Sequence, residues 1–241
     1  MSIFFKYLPY WPDLAMRHSI DSMHIKKNVF ESIIGILMDI KAKTKDGLKS
    51  QEDLVHLESR LELHPKDLGN ERHYLPTASY NLTNDEKRAI CLSLRGLKVP
   101  TGFSSNIKRL VSMKDLMLTG FNAHDCHMML ICFLPIAIRA IKPIYVRMVI
   151  TRMCYFFNQI ARKEICEDKL GDLKHFMAET MGQIEKCFPP SFFDIMPHLM
   201  MHMVDQVMWL GPMYLHEMWP YERFMSLLNA MYTIVLTLRD P

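Results

Sequence analysis

Two histidines four residues apart have a spacing that suggests metal binding. On a helix, His198 and His202 share one face, and their imidazoles are close enough to bind one ion. The spacing is required for a zinc pair but is weakly specific, because the chain contains 11 histidines. Leu199 follows the first histidine, so the metalloprotease pattern His-Glu-x-x-His is absent.

A single glutamate is the second candidate. Glu222 lies just inside a predicted helix start, where the positive end of the helix dipole favours a carboxylate, so a structural role explains it. The catalytic alternative is a metal-binding carboxylate for phosphoryl transfer. That chemistry needs two or three converging carboxylates. Asp194 and Asp205 are candidate partners, but no spacing singles them out.

The run His124-Asp-Cys-His127 concentrates polar and reactive side chains. It suggests a Cys/His nucleophile pair or a metal cluster, but adjacent residues do not converge on a helix. We predict a helix start with Asp125 in its first turn instead. The chain has no phosphate-binding Gly-rich loop, no Gly-x-Ser-x-Gly elbow and no Cys-x-x-Cys pair.

Hydrophobic periodicity and helix-stop signals predict a mainly α-helical fold. An amphipathic helix is expected over residues 27–40, and Thr83-Asn-Asp-Glu86 has the spacing of a capping box for a helix ending near Gly96. Residues 62–82 and 98–106 are expected to be irregular. The basic loop Lys41, Lys43, Lys45 and Lys49 is interpreted as solvated rather than phosphate-binding.

The second half of the chain is predicted as a helical block over 124–187, broken near Pro143 and Gly171. The prolines of Phe188-Pro-Pro-Ser191 should stop it, with Ser191 as the N-cap of a helix through about residue 203. The last helix should turn five apolar residues toward the core, namely Phe224, Leu227, Leu228, Met231 and Val235.

Composition bounds the class of protein. Hydrophobic residues make up 49% and charged residues 23%, which is typical of a folded domain, and 21 Met with 9 Gly favours helices. The net charge of +3 does not by itself imply nucleic-acid binding.

Residues 128–150 are apolar, but they contain three charges, which argues against a membrane helix. The N-terminus lacks a signal-peptide pattern, so we expect reduced thiols and a nuclear or cytoplasmic protein that is neither secreted nor membrane-bound.

Several motifs in order resemble one family. Asn122-Ala-His-Asp-Cys-His127, Leu134-Pro-Ile-Ala-Ile-Arg139, Phe188-Pro-Pro-Ser-Phe-Phe-Asp194 and Met218-Trp-Pro-Tyr-Glu-Arg-Phe224 are similar to the plant domain of unknown function near the C-terminal side of CACTA (En/Spm-type) transposases. Leu8-Pro-Tyr-Trp11, Asp21-Ser-Met-His24 and Lys43-Thr-Lys-Asp-Gly-Leu-Lys49 resemble the tail of the adjoining transposase domain. The resemblance covers residues 2–229. It divides the chain into a transposase-core remnant (1–75), a linker with short helices (76–120) and a helical domain (121–236).

The resemblance implies DNA cut-and-paste by a ribonuclease-H-like core with three acidic residues and Mg²⁺ or Mn²⁺. By motif position, Glu222 is the candidate third acid. His198 and His202 would complete a Zn²⁺ site with a cysteine pair that precedes this region in the family. The implied partners are DNA, as transposon ends, and a partner transposase chain.

Three departures from the family pattern separate this chain from its parent. The chain starts after the expected position of the first two acids and the cysteine pair, Lys26 stands where the family usually has Glu, and the sequence diverges after Asn229. We therefore expect a fragment or derivative without transposase activity of its own and without a cofactor in this chain. Two alternatives stay open: an adopted nuclear module that binds DNA or protein, and the C-terminal part of an active transposase that needs a partner chain.

Overall fold

The computed structural model describes residues 5, 7–14, 16–41, 43–70, 72–99 and 106–237, with side chains described as far as residue 232. The fold is mainly α-helical, as predicted. The helices are α1 (Ser22–Met38), α2 (Leu48–His56), α3 (Asn84–Gly96), α4 (Ala123–Met128), α5 (Leu134–Ala137), α6 (Ile144–Ile160), α7 (Leu170–Cys187), α8 (Ile195–Met200), α9 (Met203–Leu210) and α10 (Trp219–Thr237). Two short antiparallel hairpins pair β1 (Lys66–Asp67) with β2 (His73–Tyr74), and β3 (Val111–Ser112) with β4 (Met117–Leu118).

Helix α1 lies at the centre of the core rather than on its surface. It starts five residues before the predicted helix because the Asp21 carboxylate caps it, accepting from the backbone N–H groups of Met23 and His24. It packs against α4 and α8 and is buried along most of its length. Gly35 permits the close approach of the loop that follows α1: a Cβ there would lie 2.4 Å from the Lys43 carbonyl oxygen.

The capping box of α3 is confirmed. The Thr83 hydroxyl accepts from the backbone N–H of Glu86, whose carboxylate accepts from the Thr83 N–H at 2.9 Å. The second Glu86 oxygen accepts from the Lys142 backbone N–H at 2.8 Å, so one buried carboxylate joins the start of α3 to the start of α6. The helix ends at Gly96, as expected.

The predicted helical block over 124–187 is broken near both of the predicted places. The break near Pro143 is confirmed, because α6 begins at Ile144. The second break covers residues 161–169 and ends just before Gly171, which lies in the first turn of α7. The chain leaves the helix after Ile160, where the buried face of α6 ends and the exposed residues 162–164 begin.

The helix stop at Pro189-Pro190 is confirmed, because α7 ends at Cys187. The prediction that Ser191 caps the next helix was wrong. The Ser191 hydroxyl donates to the carbonyl of Lys45 and lies 3.1 Å from the Ser50 hydroxyl. Asp194 is the actual cap of α8, with its carboxylate accepting from Met196 N–H at 2.8 Å.

The last helix was predicted to turn its apolar residues inward, and that prediction was wrong. Phe224, Leu227, Leu228 and Met231 are 41–63% exposed. The side chain of Val235 lies outside the described residues. Periodicity identifies the apolar face of a helix but does not show which part of the molecule covers it.

One apolar stretch, Ala123–Ala140, is long and apolar enough to cross a membrane, and half of it is buried inside the fold. Cys126, Met129, Leu130 and Leu134 in this stretch have no measurable exposure. They belong to a core shared with α1, α3, α6 and α7. This burial favours a core segment, in agreement with the sequence-based prediction.

Candidate nucleic-acid interface and the predicted catalytic residues

Glu222 lies where the sequence predicted, in the first turn of α10. Its backbone N–H donates to the Met218 carbonyl at 2.9 Å, and its side chain is exposed. A carboxylate at this position is stabilised by the partial positive charge of the helix N-terminus. The local geometry therefore accounts for Glu222 without a reaction.

His198 and His202 lie close together on the surface. His198 is in α8, and His202 occupies the turn before α9. Their Nε2 atoms are 3.2 Å apart. Two nitrogens that bind one tetrahedral Zn²⁺ at about 2.05 Å lie about 3.3 Å apart. The pair thus has the separation of half a zinc site, and the sequence-based spacing argument gave a usable geometry.

The predicted site residues do not converge into a complete metal centre. Within the described ranges, no three His, Cys, Asp or Glu side chains are arranged to hold an ion. No contact is described between Glu222 and either histidine of the pair. The roles of Glu222, His198 and His202 in metal chemistry therefore stay predictions.

The His124–His127 run has the structural role that the sequence favoured. Asn122 and Asp125 form a capping box for α4, with the Asn122 side chain accepting from the Asp125 N–H at 2.8 Å. Burial raises the pKa of the Cys126 thiol to about 12. A thiol with so high a pKa carries almost no thiolate at neutral pH, which argues against a nucleophilic role.

His127 is the most perturbed histidine among the described residues. Burial, then the Lys26 charge and then His124, lower its pKa to about 3. The Trp219 ring packs edge-on against it at a centroid distance of 5.9 Å. His127 therefore stays neutral in the folded state, at the junction where α10 joins α4.

Lys26, one of the departures from the family pattern, is fully buried in the same region. Its ammonium group lies 2.5 Å from a Glu217 carboxylate oxygen. Burial lowers the pKa of Lys26, and the Glu217 charge opposes that shift. A glutamate at position 26 would meet Glu217 as a like charge, so the substitution fits the fold seen here.

The structure draws attention to a charge asymmetry that the whole-chain net charge concealed. Residues 87–163 contain 13 Lys and Arg but only two acids, Asp115 and Asp125. The segment therefore carries +11 in a chain of net charge +3, and the rest of the chain carries −8. Regional counting of charges would have found this signal.

Seven exposed cations of this segment lie on α3, directly after it, or on elements that contact it. We call them the basic surface: Arg88, Arg95, Lys98, Lys108, Arg109, Lys114 and Arg139. The turn containing Lys108 and Arg109, the β3–β4 hairpin and the turn containing Arg139 all contact α3. Arg88 and Arg95 are seven residues apart and share one face of that helix, about 10.5 Å apart along its axis.

Three acids near the basic surface are used in local hydrogen bonds, while a fourth, Asp85, is exposed in the first turn of α3. Glu86 and Asp125 complete capping boxes, and Asp115 accepts from the Ser112 hydroxyl at 2.7 Å. None of the seven cations forms an ion pair with a described residue. By contrast, Lys43 and Lys45 of the predicted basic loop pair with Glu31 and Asp194. Seven exposed cations without a described ion pair therefore lie together around α3.

A comparison with known protein families finds a match for the C-terminal part of the chain. A family model described as a domain of unknown function (DUF4218) matches residues 160–234. That span contains α7, α8, α9 and most of α10, and it covers less than half of the chain. The domain is common in plant transposon-associated proteins. No curated protein and no solved structure matches the chain.

Proposed function

We propose that this chain is a transposon-derived nucleic-acid-binding module of the nucleus, which does not cleave DNA by itself. The observation that carries the proposal is the basic surface around α3. A DNA duplex carries about one negative charge per 1.7 Å of its axis, and exposed Lys and Arg bind it by releasing counterions. Contacts of this kind position a protein on the DNA backbone and do not read sequence.

Two observations support the transposon origin. The match to a domain common in transposon-associated proteins covers residues 160–234. The ordered motifs before and within that span resemble the C-terminal region of a CACTA (En/Spm-type) transposase. We infer that the chain derives from such an enzyme.

We propose no DNA cleavage by this chain because cleavage requires metal ligands that are not found among the described residues. Two-metal hydrolysis needs converging carboxylates to hold both cations. Glu222 is exposed on α10, and no second acid is described beside it. We therefore assign the chain a binding role.

Salt-dependent DNA binding tests the proposal directly. Affinity for a duplex of mixed sequence should fall with a log–log slope of about −0.9 for each phosphate contacted. Replacing Arg88, Arg95, Lys108 and Arg109 with Gln should reduce that slope by up to about 4 and weaken binding to all duplexes alike.

A matched variant controls for net charge. Gln at Lys49, Lys66, Lys169 and Lys186, which are also exposed, removes the same charge from other regions of the chain. This control should bind like the native chain. Equal losses in both variants would show that α3 has no special role and would contradict the proposal.

An active transposase subunit is the second candidate, because the His198–His202 pair has the spacing of half a zinc site. It requires Mg²⁺- or Mn²⁺-dependent nicking of transposon-end DNA when the chain is mixed with a partner transposase chain. Glu222→Gln should abolish that nicking. Undiminished nicking by the variant would exclude Glu222 as a catalytic acid.

Metal analysis of the purified chain distinguishes half a zinc site from a complete one. We expect no stoichiometric zinc, since the cysteine ligands that the resemblance implies are not in this chain. One bound ion per chain that is lost in His202→Ala would overturn this expectation and would favour the second candidate.

A further inference from the structure

Helix α10 carries a row of large apolar side chains on the outside of the fold. We call it the apolar stripe; its members are 41–65% exposed. They are Tyr221, Phe224, Met225, Leu227, Leu228, Met231 and Tyr232. Soluble monomers rarely leave so many large apolar groups contiguous and exposed, so a stripe of this kind marks an interaction surface.

The stripe occupies one side of the helix. Tyr221, Phe224, Leu228 and Met231 follow one another at intervals of three, four and three residues, which is the spacing of a two-helix seam. At 100° per residue, Ser226 and Ala230 fall on the opposite side. The helix is therefore amphipathic, but its apolar side faces solvent.

The start of α10 is tied to the fold by two described contacts. The Trp219 ring packs edge-on against His124, with ring centroids 5.1 Å apart, and the preceding Glu217 pairs with Lys26. From Pro220 to Tyr232, every side chain is exposed. The first turn is therefore anchored, while the stripe stays accessible to another molecule.

We infer that a second copy of this chain covers the apolar stripe, with the two α10 helices packed across a two-fold axis. Charge favours this occupant. Between residues 206 and 232 the charged residues are Glu217, Glu222 and Arg223. Glu217 is paired with Lys26, and Glu222 and Arg223 lie outside the stripe. A neutral stripe meets its own copy without like-charge repulsion, whereas it offers a charged partner nothing to complement.

The exposed area is sufficient for a stable pair. An aromatic side chain presents roughly 200 Å², so the stripe, with three aromatic rings and four Leu or Met side chains more than 40% exposed, offers on the order of 700–800 Å². A standard interface buries about 800 Å² on each partner. Burial of most of the stripe in a symmetric pair therefore approaches that size.

The mass in solution tests the inference. Sedimentation equilibrium at micromolar concentration should give the native chain about twice its 28.3 kDa. Leu228→Glu combined with Met231→Glu places two charges in the seam and should give a monomer. Because both residues are exposed within one chain, the circular dichroism spectrum should stay native-like, and the midpoint of thermal unfolding should match that of the native chain diluted until it is monomeric.

A matched control places the same charges on the other side of the helix. Ser226→Glu with Ala230→Glu should stay dimeric. A native chain that is monomeric at these concentrations overturns the inference, as does a dimer that survives the Leu228/Met231 double variant.

The test is separable from the proposed function. Salt-dependent DNA binding by the monomeric variant reports on the basic surface alone, since none of the seven cations lies on α10. Loss of the dimer with DNA binding retained at lower affinity supports both inferences. A dimeric native chain that shows no salt-dependent binding would support the dimer and refute nucleic-acid binding.

Discussion

His127 should make the stability of this protein fall as the pH is lowered through the mildly acidic range. Its folded pKa is lowered to about 3 from an ordinary value near 6.5, first by burial and then by the charge of Lys26. Between these two pH values the unfolded chain binds a proton that the folded chain does not. The unfolded state therefore binds more protons, and the free energy of unfolding decreases as the pH falls.

The magnitude follows from the pKa difference. Well below pH 6.5 each pH unit costs roughly 1.4 kcal/mol, so the chain should lose about 2 kcal/mol between pH 7.5 and pH 5. Carboxylates contribute little in this window, because their reference pKa values are about 4. Glu86, whose pKa is lowered chiefly by hydrogen bonds from Thr83 and Lys142 against the opposing effect of burial, loses its contribution only at lower pH.

Urea unfolding at pH 7.5 and pH 5 measures the effect. The native chain should lose about 2 kcal/mol, whereas His127→Gln should lose less than about 0.5 kcal/mol, because it has no proton to bind at this position. His56→Gln, which removes an exposed imidazole, should behave like the native chain. Equal pH dependence in the native chain and His127→Gln would refute the assignment to His127.

Three further substitutions test the packing by urea unfolding at pH 7.5. Glu217→Gln leaves Lys26 buried without its charge partner and should lower the free energy of unfolding by about 3 kcal/mol. Adding Lys26→Met should recover most of that loss. A loss below about 1 kcal/mol would mean that the pair is solvated. Gly35→Ala forces a Cβ toward the Lys43 carbonyl and should cost about 1–3 kcal/mol, unless the loop moves freely. Thr83→Ala removes the cap of α3 and should cost about 1 kcal/mol, whereas Thr83→Ser should be near neutral; equal effects would argue against a capping role.

The features that the sequence predicted well depend on residues close together in the chain. The capping box of Thr83 and Glu86 requires only four consecutive residues, and the helix start with Asp125 in its first turn requires a similar span. The stop at Pro189-Pro190 follows from the missing N–H of proline. In each case local geometry decides the outcome, and tertiary packing does not compete with it.

The predictions that failed depend on distant partners. Ser191 has the chemistry of an N-cap, but its hydroxyl contacts Lys45 and Ser50, which lie more than 140 residues away in sequence. Lys26 gave no sequence signal for burial, since its partner Glu217 is 191 residues distant. Only the folded chain brings such groups together.

The candidate site residues also divide into features set by nearby residues and features set by distant ones. The spacing of His198 and His202 predicted their proximity. The predicted single helix through residue 203 ends at Met200, but Met201 and His202 keep right-handed helical backbone angles, so the two side chains still lie together. The sequence could not supply further ligands, since these would have to come from other elements or another chain. Glu222 likewise has a predictable position in the first turn of α10, but its chemistry depends on neighbours that the sequence does not specify.

The net charge and the hydrophobic content of the whole chain do not reveal the basic surface or the apolar stripe, and the reason is physical. Electrostatic attraction acts within a Debye length of about 8–10 Å, so binding depends on the local density of charge rather than on its sum. The proposed binding to a phosphate backbone therefore rests on the seven exposed cations around α3 and not on the chain total of +3. The same reasoning applies to α10, whose exposed apolar side is a local feature that the whole-chain hydrophobic content does not reveal.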